Sequence, residues 1–585
     1  MTSSIVQTDF ESWKVFLQKP SSLRELFTRS YEFKLGNQSF SLIPFTNLDS
    51  HSEITAELLS EWRKDNIHAY PTRSEITTEG TKLWFRDAVL DNPHRVLFWL
   101  MDSALTRLGH IGVVFQPEQD VIEIDNVLRG VDLYPGLMTE ALRALENIID
   151  LEFSVTSIKL RVLESNNHAV KFYLNNGYVV TNKEQLKWVH NSKGSVLMPG
   201  NPVEDSFLSM EKQLQPNTVE IPNPILTAGP SISPREISYV TDAVSHGWNH
   251  NHSDYLSKFE REFADFVGVK NAMATSSCTG ALHLALLSLG IGPGDEVLVP
   301  EITWVASASA IHYVGATPVF VDVDPVTWTI DPIQIEKQIT SKTKAIIPVH
   351  LYGFAASMKK IMEIAKERNI FVVEDAAPAI GTLLESKSAG TFGEFGCYSF
   401  QGAKLLVTGE GGMLVSNNDD LFAKARKIQD HGRKPGTFWI EEVGYKYKMN
   451  NITAALGLAQ LQRANNQIER KRRINAWYRE GLGDLVHINF QEEAENSRSI
   501  CWMTSFSLNP DSGISREELM GQLKQKGIDT RPVFPAISQY PIWRYKPETQ
   551  PVAKLIGDTS INLPSGVGLN KKSIQYIIES IRSLF

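Results

Sequence analysis

Short apolar runs alternate with longer amphipathic stretches from about residue 225 onward. The clearest runs are residues 296–300 (EVLVP), 318–324 (PVFVDVD), 345–352 (AIIPVHLY) and 371–377 (FVVEDAA). Continuous apolar runs between helical patterns are typical of a parallel β-sheet that is covered by helices on both faces. Because ligands bind at the carboxyl ends of the strands in such sheets, we expect functional residues directly after these runs.

The residues before this region show a mixed pattern of strands and helices. The pattern predicts five strands, at residues 39–46, 98–100, 110–115, 121–127 and 158–162. The second and third of these predict a hairpin pair. The stretch 129–138 contains glycine and proline and predicts a loop that opens a helix at Thr139.

Residues 213–224 (QLQPNTVEIPNP) are polar, contain proline and lack periodicity, so they predict a linker. The chain is therefore expected to consist of an N-terminal extension (residues 1–38), a mixed α/β domain (39–212), this linker and a larger α/β domain (225–585).

Composition narrows the class of protein. The 585 residues are 42% hydrophobic, which is ordinary for a globular chain with large cores, and the net charge of −9 argues against nucleic acid as a main partner. The three cysteines have no paired or CxxC spacing, which favours a reducing compartment.

The sequence also predicts how the chain relates to membranes. The N-terminus lacks a basic region followed by an apolar run, so we expect no secretory signal. The longest uncharged stretch, residues 304–321, is broken by His312, Gly315 and Pro318 and does not read as a membrane span. A cytoplasmic location is expected.

Candidate chemistry follows the predicted strands of the larger domain. Asp375 ends one apolar run, and Lys404 precedes a glycine-rich turn where burial would lower its pKa. Residues 275–280 (TSSCTG) lead into an apolar helix at residues 281–286, and the free N–H groups at such a helix N-terminus suit a phosphate. Each signal alone has an ordinary explanation: a helix cap, a solvated lysine, a capped helix. Together, and with Trp304 as a stacking aromatic, they match the needs of pyridoxal phosphate (PLP).

The same region resembles the DegT-type sugar aminotransferases, which have the aspartate-aminotransferase fold (fold type I), and especially the GDP-perosamine synthases. The matching phrases include GVKNAMATSSCTGALHLALLSLGIGPGDEVLVP, TPVFVDVDPVTWTID, VVEDAA and SFQGAKLLVTGEGGMLV, in the family's order. The resemblance implies that an amino group passes from L-glutamate to the cofactor and then to a nucleotide-linked keto-sugar. It also implies a homodimer.

The resemblance assigns roles to individual residues. Lys404 would bond to the cofactor and move the proton, Asp375 would hold the ring nitrogen protonated and Trp304 would stack on the ring. Cys278 and Thr279, through their backbone, and the Ser399 hydroxyl would bind the phosphate. In related sugar dehydratases a histidine replaces the lysine, so Lys404 implies full transamination.

Some positions depart from the family or are ambiguous. Pro378 replaces a polar residue, and Lys446 replaces an asparagine that reaches the phosphate across the dimer interface. Trp248, His350 and Arg531 fall where the family contacts sugar or phosphate, with packing an equal alternative. The histidines of residues 249–252 have no further ligand cluster, so no metal site is expected.

The phrase NNHAVKFYLNNGY (residues 166–178) resembles the GNAT acyltransferase pattern. That resemblance implies that acyl-CoA lies along the strand ending at Val127, with its pyrophosphate near Gly136 and its pantetheine near Asn166. Tyr173 would protonate the departing thiolate. An amphipathic helix with an Asn-Gly cap is the plainer reading.

Parts of the acyltransferase site depart from the pattern or remain open. Leu133 and Met138 depart from the usual pyrophosphate loop. The general base is unassigned: Glu123 and Asp125 are candidates, with ion pairing as the alternative. A domain retained only for binding or assembly is the other possibility.

The two resemblances together give a hypothesis for the whole chain. The larger domain makes an amine on a sugar, and the first domain N-acetylates that amine from acetyl-CoA for a surface polysaccharide. Three alternatives stay open: a dTDP-keto-sugar or aminocyclitol precursor as acceptor, a first domain that only binds or assembles, and a cofactor-binding regulator without turnover.

Overall fold

The computed structural model describes residues 5–18, 29–36, 38–46, 49, 52–117, 119, 121–153, 155–191, 194–214, 224–543 and 547–585. The chain divides into two compact units, Met1–Glu220 and Ile221–Phe585, with the stretch Asn570–Lys572 grouped with the first. Residues 215–223, which make up most of the predicted linker, lie outside the described residues.

The first unit is a mixed α/β structure. Its helices are α1 (Ile5–Gln18), α2 (Glu53–Asp65), α3 (Thr78–Trp84), α4 (Leu137–Glu152) and α5 (Asn167–Asn175), with a 3-10 turn at Ile67–Ala69 and a π-helical segment at Phe85–Leu90. Its strands are β1 (Tyr31–Leu35), β2 (Gln38–Pro44), β3 (Thr72–Arg73), β4 (Arg95–Asp102), β5 (Arg107–Gln116), β6 (Val121–Arg129), β7 (Ser157–Leu163), β8 (Val179–Asn191), β9 (Gly194–Pro199) and β10 (Asp205–Gln213).

These strands form one ten-stranded sheet in the order β1-β2-β4-β5-β6-β7-β10-β8-β9-β3. The predicted hairpin is present, since β4 and β5 are antiparallel with Phe98 opposite Ile111. The pair β6–β7 is parallel, whereas the other neighbouring pairs are antiparallel. It spans only two registered residue pairs, beginning with Glu123 opposite Lys159.

The predicted N-terminal extension is part of this unit rather than a separate segment. β1 pairs with β2, and the α1 side chains of Phe10, Trp13 and Leu17 are completely buried in the same core as β4 and α4. The Trp13 indole N–H donates to the Tyr31 hydroxyl at 2.8 Å. The aromatic side chains of this segment explain the difference, because their burial favours packing over a free extension.

The backbone of β5 and β6 is irregular near the middle of the sheet. The register shifts between His110 and Gly112, and Asn126 adopts a left-handed conformation with φ 50°. A Cβ atom at Gly112 would lie 2.7 Å from the Val96 carbonyl oxygen, so the close approach of β4 requires glycine there. Bulges of this kind bend a strand and redirect its side chains.

The second unit is larger and contains twelve helices among its described residues. They are α6 (Pro234–His246), α7 (Asp254–Val267), α8 (Cys278–Ser288), α9 (Ala306–Tyr313), α10 (Pro332–Gln338), α11 (Met358–Arg368), α12 (Asp419–Gln429), α13 (Asn451–Leu461), α14 (Ala464–Leu482), α15 (Arg516–Gln525), α16 (Pro551–Thr559) and α17 (Lys571–Arg582), with 3-10 turns at Asn249–Asn251, Leu351–Gly353 and Ile537–Gln539.

Its strands form three sheets. The strands are β11 (Asn271–Thr275), β12 (Glu296–Pro300), β13 (Thr317–Val321), β14 (Thr343–Ile346), β15 (Phe371–Asp375), β16 (Leu383–Leu384), β17 (Lys387–Ser388), β18 (Phe395–Ser399), β19 (Gly412–Ser416), β20 (Ile488–Phe490), β21 (Ser497–Arg498), β22 (Ser505–Leu508), β23 (Arg531–Pro532) and β24 (Ser560–Asn562). The main sheet has the order β11-β19-β18-β15-β14-β12-β13, and the two smaller sheets have the orders β17-β16-β21 and β20-β22-β24-β23.

The predicted parallel sheet is confirmed for the strands from β18 to β13. β19 runs antiparallel to both of its neighbours, β11 and β18. Helix α8 is apolar around its whole circumference, and nearly all of its side chains are buried, as expected for a helix covered on every side. Across the described residues, the helices are too short or too polar to cross a membrane.

Candidate functional site

Lys404 lies in the turn after β18, partly covered by an aromatic side chain. Its Nζ is 4.0 Å from the centroid of the Trp502 ring. The backbone N–H of Lys404 donates to the Gln401 carbonyl at 2.8 Å, which closes the turn. Burial lowers the pKa of the Lys404 amine, and nearby Asp375 opposes that shift. An amine with a lowered pKa is more often uncharged and nucleophilic.

Asp375 is the last residue of β15 and is buried. Its Oδ2 accepts a hydrogen bond from the Ser307 hydroxyl at 2.7 Å, and its Oδ1 accepts one from the Ala377 N–H at 3.1 Å. These bonds fix the carboxylate at the carboxyl end of the sheet. The backbone N–H of Ser307 donates to the Trp304 carbonyl at 3.2 Å, which ties the loop after β12 to the same carboxylate.

The N-terminus of α8 supplies free donors. The Ser277 side chain caps the helix by accepting from the Gly280 N–H at 3.0 Å. Within the described part of the chain, the N–H groups of Cys278 and Thr279 have no recorded protein acceptor. Two free N–H groups at the positive end of a helix dipole form an anion site.

These elements converge on one place in the second unit. The charge of Asp375 acts on the Lys404 amine and opposes the lowering of its pKa by burial. Burial raises the pKa of the Cys278 thiol, so that thiol stays neutral. A half-buried amine, a buried carboxylate and free helix N–H groups are the groups that PLP requires, so the residues present fit this cofactor.

Ser399 and Trp304 occupy the edge of this cluster. Ser399 is buried at the end of β18 and lies opposite Gly412, and a Cβ at Gly412 would come within 2.5 Å of the Cys278 nitrogen. Ser399 therefore lies beside the N-terminus of α8. Trp304 is 59% exposed, and its ring centroid is 5.8 Å from that of Phe534.

The residues selected in the first unit are held mainly by packing and capping. Asn166 caps α5, since its Oδ1 accepts from the Ala169 N–H at 3.2 Å. Burial raises the pKa of the Tyr173 phenol, and the charge of Asp125 raises it further. Val127 is partly buried and packs against the core.

The glycine loop of the first unit nevertheless ends in free donors. Gly136 has φ 85° and forms the N-cap of α4. Among the described residues, the next N–H groups, those of Met138 and Thr139, have no recorded protein acceptor. This helix N-terminus is therefore able to bind an anion.

Both candidate bases of the first unit are in ion pairs. Asp125 contacts the Arg95 Nε at 2.7 Å, and Glu123 lies 3.8 Å from the Arg161 Nε and accepts from Gln116 at 2.9 Å. This geometry favours the ion-pair alternative.

His110 was not among the candidate residues selected from the sequence. It is buried beside the strand irregularity, and its Nδ1 donates to the Asn126 carbonyl at 2.7 Å. Burial lowers the pKa of His110 to about 4, so its ring is neutral.

Comparison with known proteins identifies the second unit. The sequence model of the DegT/DnrJ/EryC1/StrS aminotransferase family matches residues 230–582. The chain belongs to this family. The GDP-perosamine synthases of Escherichia coli O157:H7 and Caulobacter vibrioides are 42% and 39% identical to it, each over 61% of this chain and 97% of the relative. A Streptococcus pneumoniae protein solved in its PLP form has a TM-score of 0.58 at 28% identity, over 62% of this chain and 98% of its own.

The DegT/DnrJ/EryC1/StrS family is PLP-dependent, and the matched range contains every candidate residue of the second unit. It begins at residue 230, so the first unit lies outside it.

Four further candidates have partners or positions of their own, and one of them, His350, donates its backbone N–H to the Asp375 carbonyl at 3.1 Å. Lys446 donates to Asp430 at 2.9 Å, which lowers the pKa of that carboxyl. His350 is completely buried: its Nδ1 accepts from the Ala356 N–H and its Nε2 donates to Glu374, both at 3.1 Å. With both ring nitrogens bonded, His350 fits the packing alternative.

The other two candidates are exposed. The Trp248 ring donates to the Val244 carbonyl at 2.7 Å and is 57% exposed, and Arg531 is exposed at the start of β23. Both are accessible to a ligand. Groups of His, Cys, Asp and Glu able to hold a metal are absent from the described residues.

Proposed function

We propose that the second unit transfers the amino group of L-glutamate to a nucleotide-linked 4-keto-6-deoxysugar. The observation that carries the proposal is the meeting of Lys404, Asp375 and the free N–H groups of α8 at the carboxyl ends of the strands. The 42% identity to a GDP-perosamine synthase supports the choice of substrate class.

The residues of the cluster have distinct tasks in this proposal. PLP, when bound, supplies an electron sink for the bond that is broken at the substrate carbon. Lys404 holds and moves the proton at its Nζ. The lowered pKa of this amine leaves it uncharged more often, so that it can accept a proton. Asp375, fixed by Ser307, would hold the ring nitrogen of the cofactor protonated. The N–H groups of Cys278 and Thr279, with the Ser399 hydroxyl beside them, bind the phosphate.

A panel of keto-sugars tests the proposal most directly. Full-length protein is incubated with PLP, L-glutamate and each of GDP-4-keto-6-deoxymannose, a dTDP-keto-sugar and an aminocyclitol precursor. We expect an amino sugar by mass from the GDP compound. Product from either of the other acceptors alone would move the proposal to the alternative substrate class, and no product from any acceptor would favour a cofactor-binding regulator.

We propose that the first unit is a GNAT-type N-acyltransferase that takes acetyl-CoA. Two features support this: the parallel strands β6 and β7 pair over only two residues, and Gly136 opens α4 with free N–H groups suited to a pyrophosphate. Tyr173, on the helix after β7, is the proposed acid for the departing thiolate, because its raised pKa keeps the phenol protonated.

The two activities act in sequence in this proposal, so that the amine made by the second unit is acetylated by the first. Adding acetyl-CoA to the successful keto-sugar reaction should give a product heavier by one acetyl group. An amino sugar without an acetylated species would remove the coupled pathway and leave the transaminase. Calorimetry would then decide between an inactive acetyl-CoA site and a domain used only for assembly.

We propose that the chain is a cytoplasmic homodimer that associates through the aminotransferase unit. The loop after α12 carries apolar side chains that are unusually exposed for a single subunit, with Phe438 94%, Trp439 71% and Val443 93% exposed. Exposed patches of this kind often mark interfaces. A monomeric mass by sedimentation at micromolar concentration would contradict the dimer.

A further inference from the structure

A row of aromatic rings ends on the candidate lysine. Trp304, Phe534, Tyr352 and Trp502 follow one another with ring centroids 5.8, 5.5 and 6.0 Å apart. The last ring lies 4.0 Å from the Lys404 Nζ. The row thus connects the exposed loop after β12 with the amine at the centre of the site.

Trp502 is held on several sides. Its indole N–H donates to the carbonyl of Ala403, the residue before Lys404, at 2.9 Å. Its own carbonyl accepts from the buried Lys471 Nζ at 2.7 Å. A Cβ at Gly353 would come within 2.9 Å of the Trp502 nitrogen, so the two backbones are in close contact. The ring therefore has little freedom to move away from the lysine.

The backbone around this ring is strained. Tyr352, which stacks on Trp502, has φ 55°, and Cys501, which precedes Trp502, has φ 52°. Left-handed backbone is disfavoured for residues with bulky side chains and persists where the surroundings force it. Here the Tyr352 hydroxyl accepts from the Phe534 N–H at 3.3 Å and from Asn562 at 3.2 Å.

We propose that Trp502 is a positioning residue for Lys404: the face of its ring directs the amine, and its indole N–H fixes the backbone immediately before the lysine. The inference rests on the proposed role of Lys404 as the proton-transferring amine. It differs from a packing role because the ring face itself interacts with the nitrogen.

The ring acts on the amine in two opposing ways. Its electron-rich face attracts an ammonium group, which favours the charged form. Its bulk excludes water, which favours the neutral form. Trp502→Leu removes the aromatic face and keeps an apolar side chain at the site, whereas Trp502→Phe keeps an aromatic face on a smaller ring and loses the indole N–H. The two substitutions therefore separate these contributions.

The test measures the pKa of the Lys404 amine directly. Full-length protein freed of cofactor is labelled with trace acetic anhydride at a series of pH values, and the Lys404 peptide is quantified by mass spectrometry. We expect Trp502→Leu to lower this pKa by roughly one unit and Trp502→Phe to leave it within about 0.3 unit of wild type. Trp477→Leu, a buried tryptophan in a different core cluster, is the control and should leave it unchanged.

A second readout uses the reconstituted protein. The visible band of the lysine–PLP bond is titrated with pH, and its apparent pKa should fall in Trp502→Leu and not in Trp502→Phe. Equal shifts in both variants, or no shift in either, would overturn the proposal. If Trp502→Leu does not fold, Trp502→Met replaces it with the same expectation. Labelling needs neither keto-sugar nor turnover, so its result is independent of the proposed reaction.

Discussion

The two units use their motif residues in different ways. In the second unit, Asp375 and Lys404 come from separate segments and meet at the carboxyl ends of the strands, where the Ser307 hydroxyl holds Asp375 and the Trp502 ring contacts the Lys404 amine. In the first unit, Asn166 caps a helix and Tyr173 is buried in the core. A motif residue can thus also be held by packing and capping, so the convergence of independent groups is the stronger sign of chemistry.

The largest effect should come from Lys404→Arg. Arginine keeps the charge but cannot give up its proton, so we expect amino transfer to fall by about 10,000-fold. Acetylation of an amino sugar supplied from outside should be unchanged. Lys387→Arg, on the surface hairpin β16–β17, is the control. Loss of both activities together would show that the two units are not separable.

Asp375→Asn is the next test. It keeps the shape and the bond to Ser307 but removes the negative charge, so we expect amino transfer to fall several hundred-fold. The visible band of bound cofactor should shift as well. Asp331→Asn, at the N-cap of α10, should have no effect because asparagine caps as well as aspartate. Full activity in Asp375→Asn would remove this residue from the site.

Tyr173→Phe tests whether the first unit catalyses acetyl transfer. If the phenol protonates the departing thiolate, acetyl transfer should drop by about 100-fold while acetyl-CoA binding by calorimetry is kept. The neighbouring Tyr178→Phe, which loses a bond to Glu146, serves as the control. Equal acetyl transfer in the Tyr173 variant and wild type would leave this tyrosine a core residue.

The smallest effect is expected for Glu301→Gln. Glu301 is completely buried, and this burial raises the pKa of its carboxyl group to about 7. Its folded pKa is above the unfolded value, so its stabilising contribution is complete below pH 4.5 and is lost as the pH rises through 7. Glu301→Gln should match wild type at pH 4.5 and be more stable at pH 8 by about 1–3 kcal/mol.

Calorimetric unfolding at both pH values measures this difference. Glu336 is exposed, so the control Glu336→Gln should have the same stability as wild type at both pH values. If Glu301→Gln keeps the pH dependence of the wild type, that dependence belongs to another group.

The sequence predicted the elements of the second unit well because buried parallel strands are continuous apolar runs. The run at residues 296–300 coincides with β12. The sequence could not predict contacts between distant segments. Ser307 donates a hydrogen bond to Asp375 across 68 residues, and Trp502 donates one to the Ala403 carbonyl across 99 residues. Ser307 and Trp502 carry no local signal of either role.

Irregular backbone was equally hidden. A tyrosine at position 352 gives no hint of its left-handed backbone, with φ 55°, or of the distant donors that its hydroxyl meets in the fold. In the first unit the hairpin was predicted from alternation. The role of α1 was missed since its aromatic side chains find their partners only in the folded core.

The helix α1 also bears on how this protein can be divided. An expression fragment started at residue 39 would keep the motifs of the first unit intact. It would also lose the buried side chains of Phe10, Trp13 and Leu17. The hydrophobic core residues that pack against them would then be exposed to solvent. Such a fragment should aggregate or stay inactive for reasons unrelated to its chemistry, so a biochemist who isolates this half must begin before residue 5.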